Sequence, residues 1–289
     1  AIIAILAAIL FPVFAQAKTA AKRTQELSNI KNLTMGLMLY QGDADDANPI
    51  TRVSTDGQWM TPQMTIWKDM VFPYIKNGGR LPQANGQIYT VPGEGGIFQS
   101  PLNMSAWGTG RTDGNTPGGP GDETTRFPRS FALNKDAGRN ETGGDTWWTE
   151  VYCSPANPCV FGRGANMSLL ERPAGTALLV PTRKIYPDQE SSELGKVCSA
   201  NGDDTNGAPP GALSCVPSSG NGQVVFGFAD GHAKHVQWAR SLDEDVWGMY
   251  DRQRPGPGYQ WNYNRQGPGN GQVWIQGIKT NTRLIGEYR

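Results

Sequence analysis

The chain has 289 residues, enough for one large or two small domains, and balances 26 Lys plus Arg against 26 Asp plus Glu. That neutrality excludes the usual basic nucleic-acid surface, and it suits close packing of like subunits, which repel one another little. With 37 Gly and 21 Pro the chain is rich in turns, yet nine each of Trp, Tyr and Phe are too many for a disordered polymer, so an irregular globular head with an aromatic core is expected.

Residues 1–15, AIIAILAAILFPVFA, carry no charged or polar side chain. As a helix they span roughly 22 Å, somewhat less than the ~30 Å core of a bilayer, so further residues before Ala1 are expected. A secretory signal ending near Ala15-Gln16-Ala17 is the competing reading. Against it, the helical pattern runs on without a break. Leu27, Ile30, Leu33, Leu37 and Tyr40 step by three or four and form one apolar stripe, while Lys22, Arg23, Glu26 and Lys31 fall off it. The spacing predicts a nearly continuous helix over 1–41. Pro12 removes the hydrogen bond to the carbonyl of Ala8, so a kink or a melted turn is expected there. Gly42-Asp43 is the expected stop.

Beyond the helix, Trp59–Asn77 is apolar and aromatic. It suggests a short helix over 67–74, capped by Thr65 and ended by Asn77-Gly78-Gly79. Residues 78–126 are rich in Gly, Pro and Asn and read as a long excursion facing solvent or a neighbouring subunit. Segments 129–133, 176–181 and 223–228 look like core strands. Asp230-Gly231 supplies a turn from which 233–238 returns as a hairpin partner. In the tail, Tyr259, Trp261 and Tyr263 alternate, Gly267-Pro268-Gly269 turns, and Val273 and Ile275 alternate back, a second hairpin and a candidate edge for a neighbouring subunit. The expected organisation is an N-terminal helix at 1–41, a β-rich head at 42–251 and an extension at 252–289. The fold class is α+β, a long helix packed on an antiparallel sheet with long loops.

Four cysteines admit three pairings. The local one, Cys153–Cys159 and Cys198–Cys215, closes small loops, as disulfides do in exported proteins. Zinc would want closer cysteine spacing and nearby histidine, and the only histidines are His232 and His235. The acidic group Asp43, Asp45, Asp46 offers oxygen ligands for calcium. Carboxylates beside a negative helix end are mildly unfavourable and would welcome a cation. The alternative is a plain helix exit built from turn-forming aspartates, and the spacing is not that of an EF-hand. Asp230 and His232 form either a catalytic pair or a hairpin corner. With no G-x-S-x-G and no H-E-x-x-H, the corner is favoured and no catalytic residue is assigned. The nine tryptophans read as core or subunit contacts rather than sugar platforms. Asn32, Asn103, Asn140 and Asn166 open N-x-S/T triplets, which are frequent by chance.

The run AIIAILAAILFPVFAQA resembles the mature N-terminus of type IV pilins and type II secretion pseudopilins, minus about its first ten residues. Further segments follow in the order seen in a bacterial pilin-like group with a DG-containing C-terminal motif. They are YQGDADDANP, the W-x7-W-x5-PY stretch from Trp59 to Tyr74, RSFALN, LLERPAGTALLV and VVFGFADGHAKHV. The leader, the cleavage site and the acidic residue near the mature N-terminus are not in this sequence, and the His usually ten residues before the Asp of DG is Gly220. The resemblance implies a pilin-like fold and a non-enzymatic structural subunit of an extracellular type IV pilus-like filament. Its partners would be further copies of itself, the membrane before assembly and an inner-membrane assembly machine, with no nucleic acid. No cofactor is implied, and calcium is the one ion the residues suggest. Ile2, Ile3, Ile5, Leu6, Ile9, Leu10, Phe11, Pro12, Val13 and Phe14 would pack the filament core. The alternatives are a pseudopilin acting as a short periplasmic piston, and a membrane-anchored binding domain.

Overall fold

A computed structural model describes residues 2–54, 65–75, 81–82, 88–89, 96–102, 130–134, 151–152, 167–170, 172–184, 188–189, 197–198, 204–205, 214–248, 250–251, 260–261, 278–280 and 288. One helix, Ile2–Asp43, runs 42 residues, roughly 63 Å. It continues through Pro12, so the expected melted turn is not found; the neighbouring hydrogen bonds carry the helix past the single missing one. Its second half is amphipathic as read from the spacing. Ile30, Leu33 and Leu37 are fully buried, and Leu27 and Tyr40 pack against the same cluster.

The helix ends at Asp43, within the expected Gly42-Asp43 stop, although Gly42 itself stays helical. Asp45 and Asp46 take left-handed φ of 55° and 60°, and the Asp46 N–H returns to the Gln41 carbonyl at 2.9 Å. Aspartate tolerates this conformation because its short side chain bonds locally, so it does here what glycine more often does.

The helix lies on a sheet whose strand order, by residues, is 233–237, 223–228, 177–181, 131–134, 188–189. The first four are antiparallel, and Asp188–Gln189 adds a short parallel edge. The three expected core strands and the hairpin are therefore present, and the molecule is α+β. Alternation divides the hairpin strand between two cores. Val225 faces the helix with Leu133 and Leu179, while Val224, Phe226 and Phe228 face away and pack with Val236, Trp238, Leu242 and Trp247. A short helix, Trp238–Asp243, closes that second core, together with Ile278 and Tyr288.

Close approach of helix to sheet depends on one glycine. A Cβ at Gly227 would sit 2.1 Å from Thr34 Oγ1 and 3.3 Å from Ile30 Cγ1. At Gly36, on the helix itself, a Cβ would meet Ile75 Cγ1 at 2.6 Å, which is how the segment 67–75 reaches the helix.

That segment differs in detail from expectation. It is one α-turn, Trp67–Val71, followed by a 3-10 turn, Phe72–Tyr74. Thr65 does not cap it, being held extended by pairing with Val53. The cap comes from inside, where the Asp69 carboxylate accepts the Ile66 N–H at 3.0 Å.

Candidate functional site

Two features of the long helix stand out, an uncovered apolar half and a buried polar junction where the other half meets the head. In the first, Ile2, Ile3, Ile5, Leu6, Ile9, Leu10, Phe11, Val13 and Phe14 are 58–83% exposed, and Pro12 is exposed among them. The helix that carries them, Ile2–Asp43, is long and apolar enough to cross a membrane, and its most apolar window is not buried against the head. Each such side chain is worth about 1.5–3 kcal/mol when transferred from water to an apolar setting. Nine of them in one place make a free monomer in water unfavourable and require a cover.

The second feature was not legible in the sequence. Glu26 lies one turn before Ile30 and is 2% exposed. Its Oε1 accepts the Ser100 hydroxyl, and its Oε2 accepts the Ser219 hydroxyl at 2.5 Å. His235 Nε2, on the edge strand of the hairpin, stands 3.8 Å from the same Oε2. Arg23, one turn of helix earlier, donates its Nε to the Ser219 carbonyl at 2.5 Å. Asn29 donates to the Gln99 carbonyl at 2.9 Å. The helix is thus tied by polar bonds to the segment 96–102 and the loop 214–222, and faces the hairpin, just below the apolar stripe. A buried carboxylate is tolerated because its lone pairs are met by hydroxyl donors.

The three aspartates at the helix exit lie close in sequence, yet among the described residues no group of three or more His, Cys, Asp or Glu is arranged to hold a metal. Asp43 accepts the Tyr74 hydroxyl at 2.9 Å, and this bond raises the Tyr74 pKa above its ordinary value, helped by desolvation and by the nearby Asp43 charge. The Asp46 carbonyl accepts the Met167 N–H at 2.8 Å, which ties the exit to the 3-10 turn Met167–Leu169. Tyr40 meets Tyr74 edge to face at 6.0 Å, and burial raises its pKa.

Asp230 and His232 do come together, with Nδ1 and Oδ1 2.5 Å apart at the hairpin turn, where Gly231 has φ 90°. The His232 ring stacks on Phe228 at 4.2 Å. Burial alone would raise the Asp230 carboxyl, but hydrogen bonds from the His232 side chain and backbone outweigh it and hold its pKa below the ordinary range. The geometry is that of a turn whose side chains close on their own backbone, since the His232 N–H also reaches Asp230 Oδ1 at 3.2 Å.

Cys198 and Cys215 form the expected disulfide. Cys153 and Cys159 lie outside the described residues. Trp67 and Trp247 are fully buried and Trp238 nearly so, while Trp59, Trp107, Trp147, Trp148 and Trp274 lie outside the described residues. Most of the excursion 78–126 and of the tail is likewise outside them. In the tail, Gln260–Trp261 pairs with Tyr250–Asp251, and Ile278 and Tyr288 belong to the head's own core. The Tyr288 hydroxyl lies 2.8 Å from Ser214 Oγ and donates to the Val216 carbonyl. No protein family, no characterised protein and no solved structure matches this chain.

Proposed function

We propose that this protein is a structural subunit of an extracellular type IV pilus-like filament, held in the inner membrane before assembly. The observation that carries the reading is the bare apolar segment 2–14, continuous with a helix whose other half is locked into a folded head. A membrane covers such a segment before assembly. The same segments of many copies, bundled in a core, cover it afterwards, with the heads outside. Repetition of one heterologous contact then gives an open helical polymer. The long helix on an antiparallel sheet agrees with a pilin-like architecture, as does the order of sequence segments that resemble pilins. The protein acts without catalysis, and its partners are copies of itself and the membrane-bound assembly machine.

The test is to shear cells, pellet the released material and probe it with antibody to the head. The proposal expects labelled fibres outside the cell. Confinement of all labelled protein to the membrane fraction would instead favour the secretion piston or the anchored domain. Those two separate by exchanging residues 1–17 for an unrelated membrane helix, which only the anchored domain tolerates.

A further inference from the structure

The junction at Glu26 contains an imbalance that the filament reading does not use. His235 Nε2 is buried and makes no hydrogen bond among the described residues. It faces Glu26 Oε2 at 3.8 Å, too far for a hydrogen bond and too near to be indifferent to charge. If the neutral ring carries its proton on Nδ1, an Nε2 lone pair faces a carboxylate. If the proton is on Nε2, a buried donor goes unmet. The imidazolium always donates from Nε2 and carries a positive charge, so it adds an ion pair to the hydrogen bond that the neutral Nε2–H tautomer would make with the carboxylate.

The surroundings favour that outcome. The Glu26 oxygens accept from Ser100 and Ser219. The charged groups near it on the helix are Arg23, engaged with the Ser219 carbonyl, and Lys22, one turn before Glu26. The loop 214–222 and the segment 96–102 contain no acid or base that titrates, Cys215 being in its disulfide. The residue paired with His235 across the hairpin is Val225. Lys234 lies over the Phe228 ring, in the core on the opposite face of the sheet.

We propose that Glu26 and His235 form a proton-operated latch between the long helix and the head. Protonation of His235 draws the edge strand onto the helix and tightens the junction; loss of the proton leaves the helix held by the two serines, Arg23 and the apolar stripe. The latch does not depend on the filament reading, because it acts within one chain.

The test is hydrogen exchange of the helix amides 26–37 in the whole protein in detergent micelles, at pH 8 and pH 5.5, corrected for intrinsic exchange. A new charge-assisted bond predicts roughly ten- to hundred-fold greater protection at pH 5.5. His235→Gln abolishes that difference, and His232→Gln keeps it. Equal or lower protection at pH 5.5 in the parent overturns the latch, as does an unchanged pH response in His235→Gln. If His235→Gln does not fold, NMR titration of the parent decides. The chain has two imidazoles, told apart by His232→Gln. The latch requires the His235 ring and the helix amides near Glu26 to shift on one titration curve, and separate curves refute it.

Discussion

Gly227→Ala is the sharpest perturbation of the packing that joins helix to sheet. The added Cβ would lie 2.1 Å from Thr34 Oγ1, and 3.3 Å from Ile30 Cγ1 and Leu179 Cβ. Thr34 is fully buried, and its hydroxyl is committed to the Ile30 carbonyl at 2.7 Å, so it cannot swing aside without losing that bond. Helix or strand must therefore give way, and the overpacking costs about 1–3 kcal/mol. Thr34→Ala removes the atom in the way, costs about 1 kcal/mol for the lost bond, and leaves only the 3.3 Å contacts for the new methyl. The double variant should thus be no less stable than Gly227→Ala alone, a favourable coupling of about 1 kcal/mol or more. The assay is urea unfolding in detergent, read by the fluorescence of the buried Trp67 and Trp247. Single effects that add to within about 0.5 kcal/mol would show that helix and strand do not meet as described.

Other consequences follow from the same structure. Ile9→Asp together with Phe11→Asp leaves the head's unfolding midpoint within experimental error, since both side chains are exposed, yet abolishes recovery of fibres from sheared cells; a lowered head midpoint would contradict the separation of the two halves. Cys198→Ser with Cys215→Ser opens a loop of sequence separation 17 and should cost the head about 3 kcal/mol, seen as a lower denaturant midpoint. The Asp230 pKa is depressed in the folded protein, so its contribution to stability is present above the ordinary carboxylate range and lost as pH falls below about 4. Asp230→Asn should flatten that part of the stability–pH curve, with a small amplitude because the pair is more than a third exposed. An unchanged acid limb would remove Asp230 from the account.

Where one side-chain period runs for several residues, the fold was legible in the sequence. The stripe from Leu27 to Tyr40, the strand Gln223–Phe228 and the turn at Asp230-Gly231 came out as read, because burial on one face leaves little choice of register. Single-residue terminators were less legible. The left-handed turn after the helix falls on Asp45 and Asp46 rather than on a glycine, and Asp69 takes the capping role expected of Thr65, which is paired with Val53 instead. Glu26 was hidden for a deeper reason. Its partners Ser100, Ser219 and His235 come from three distant parts of the chain, and a lone acid among Lys and Arg on a helix reads as a solvated residue. Chain order alone does not show which polar side chains will be buried together.

The filament claim meets its most direct test in cryo-electron microscopy of fibres sheared from cells. The account predicts a core of parallel helices built from residues 2–14 of successive copies, the heads outside, and helix and sheet in contact through Gly227 in every subunit. Fibres with another chain at their core, or this chain found only as dispersed protein in the membrane, would contradict it.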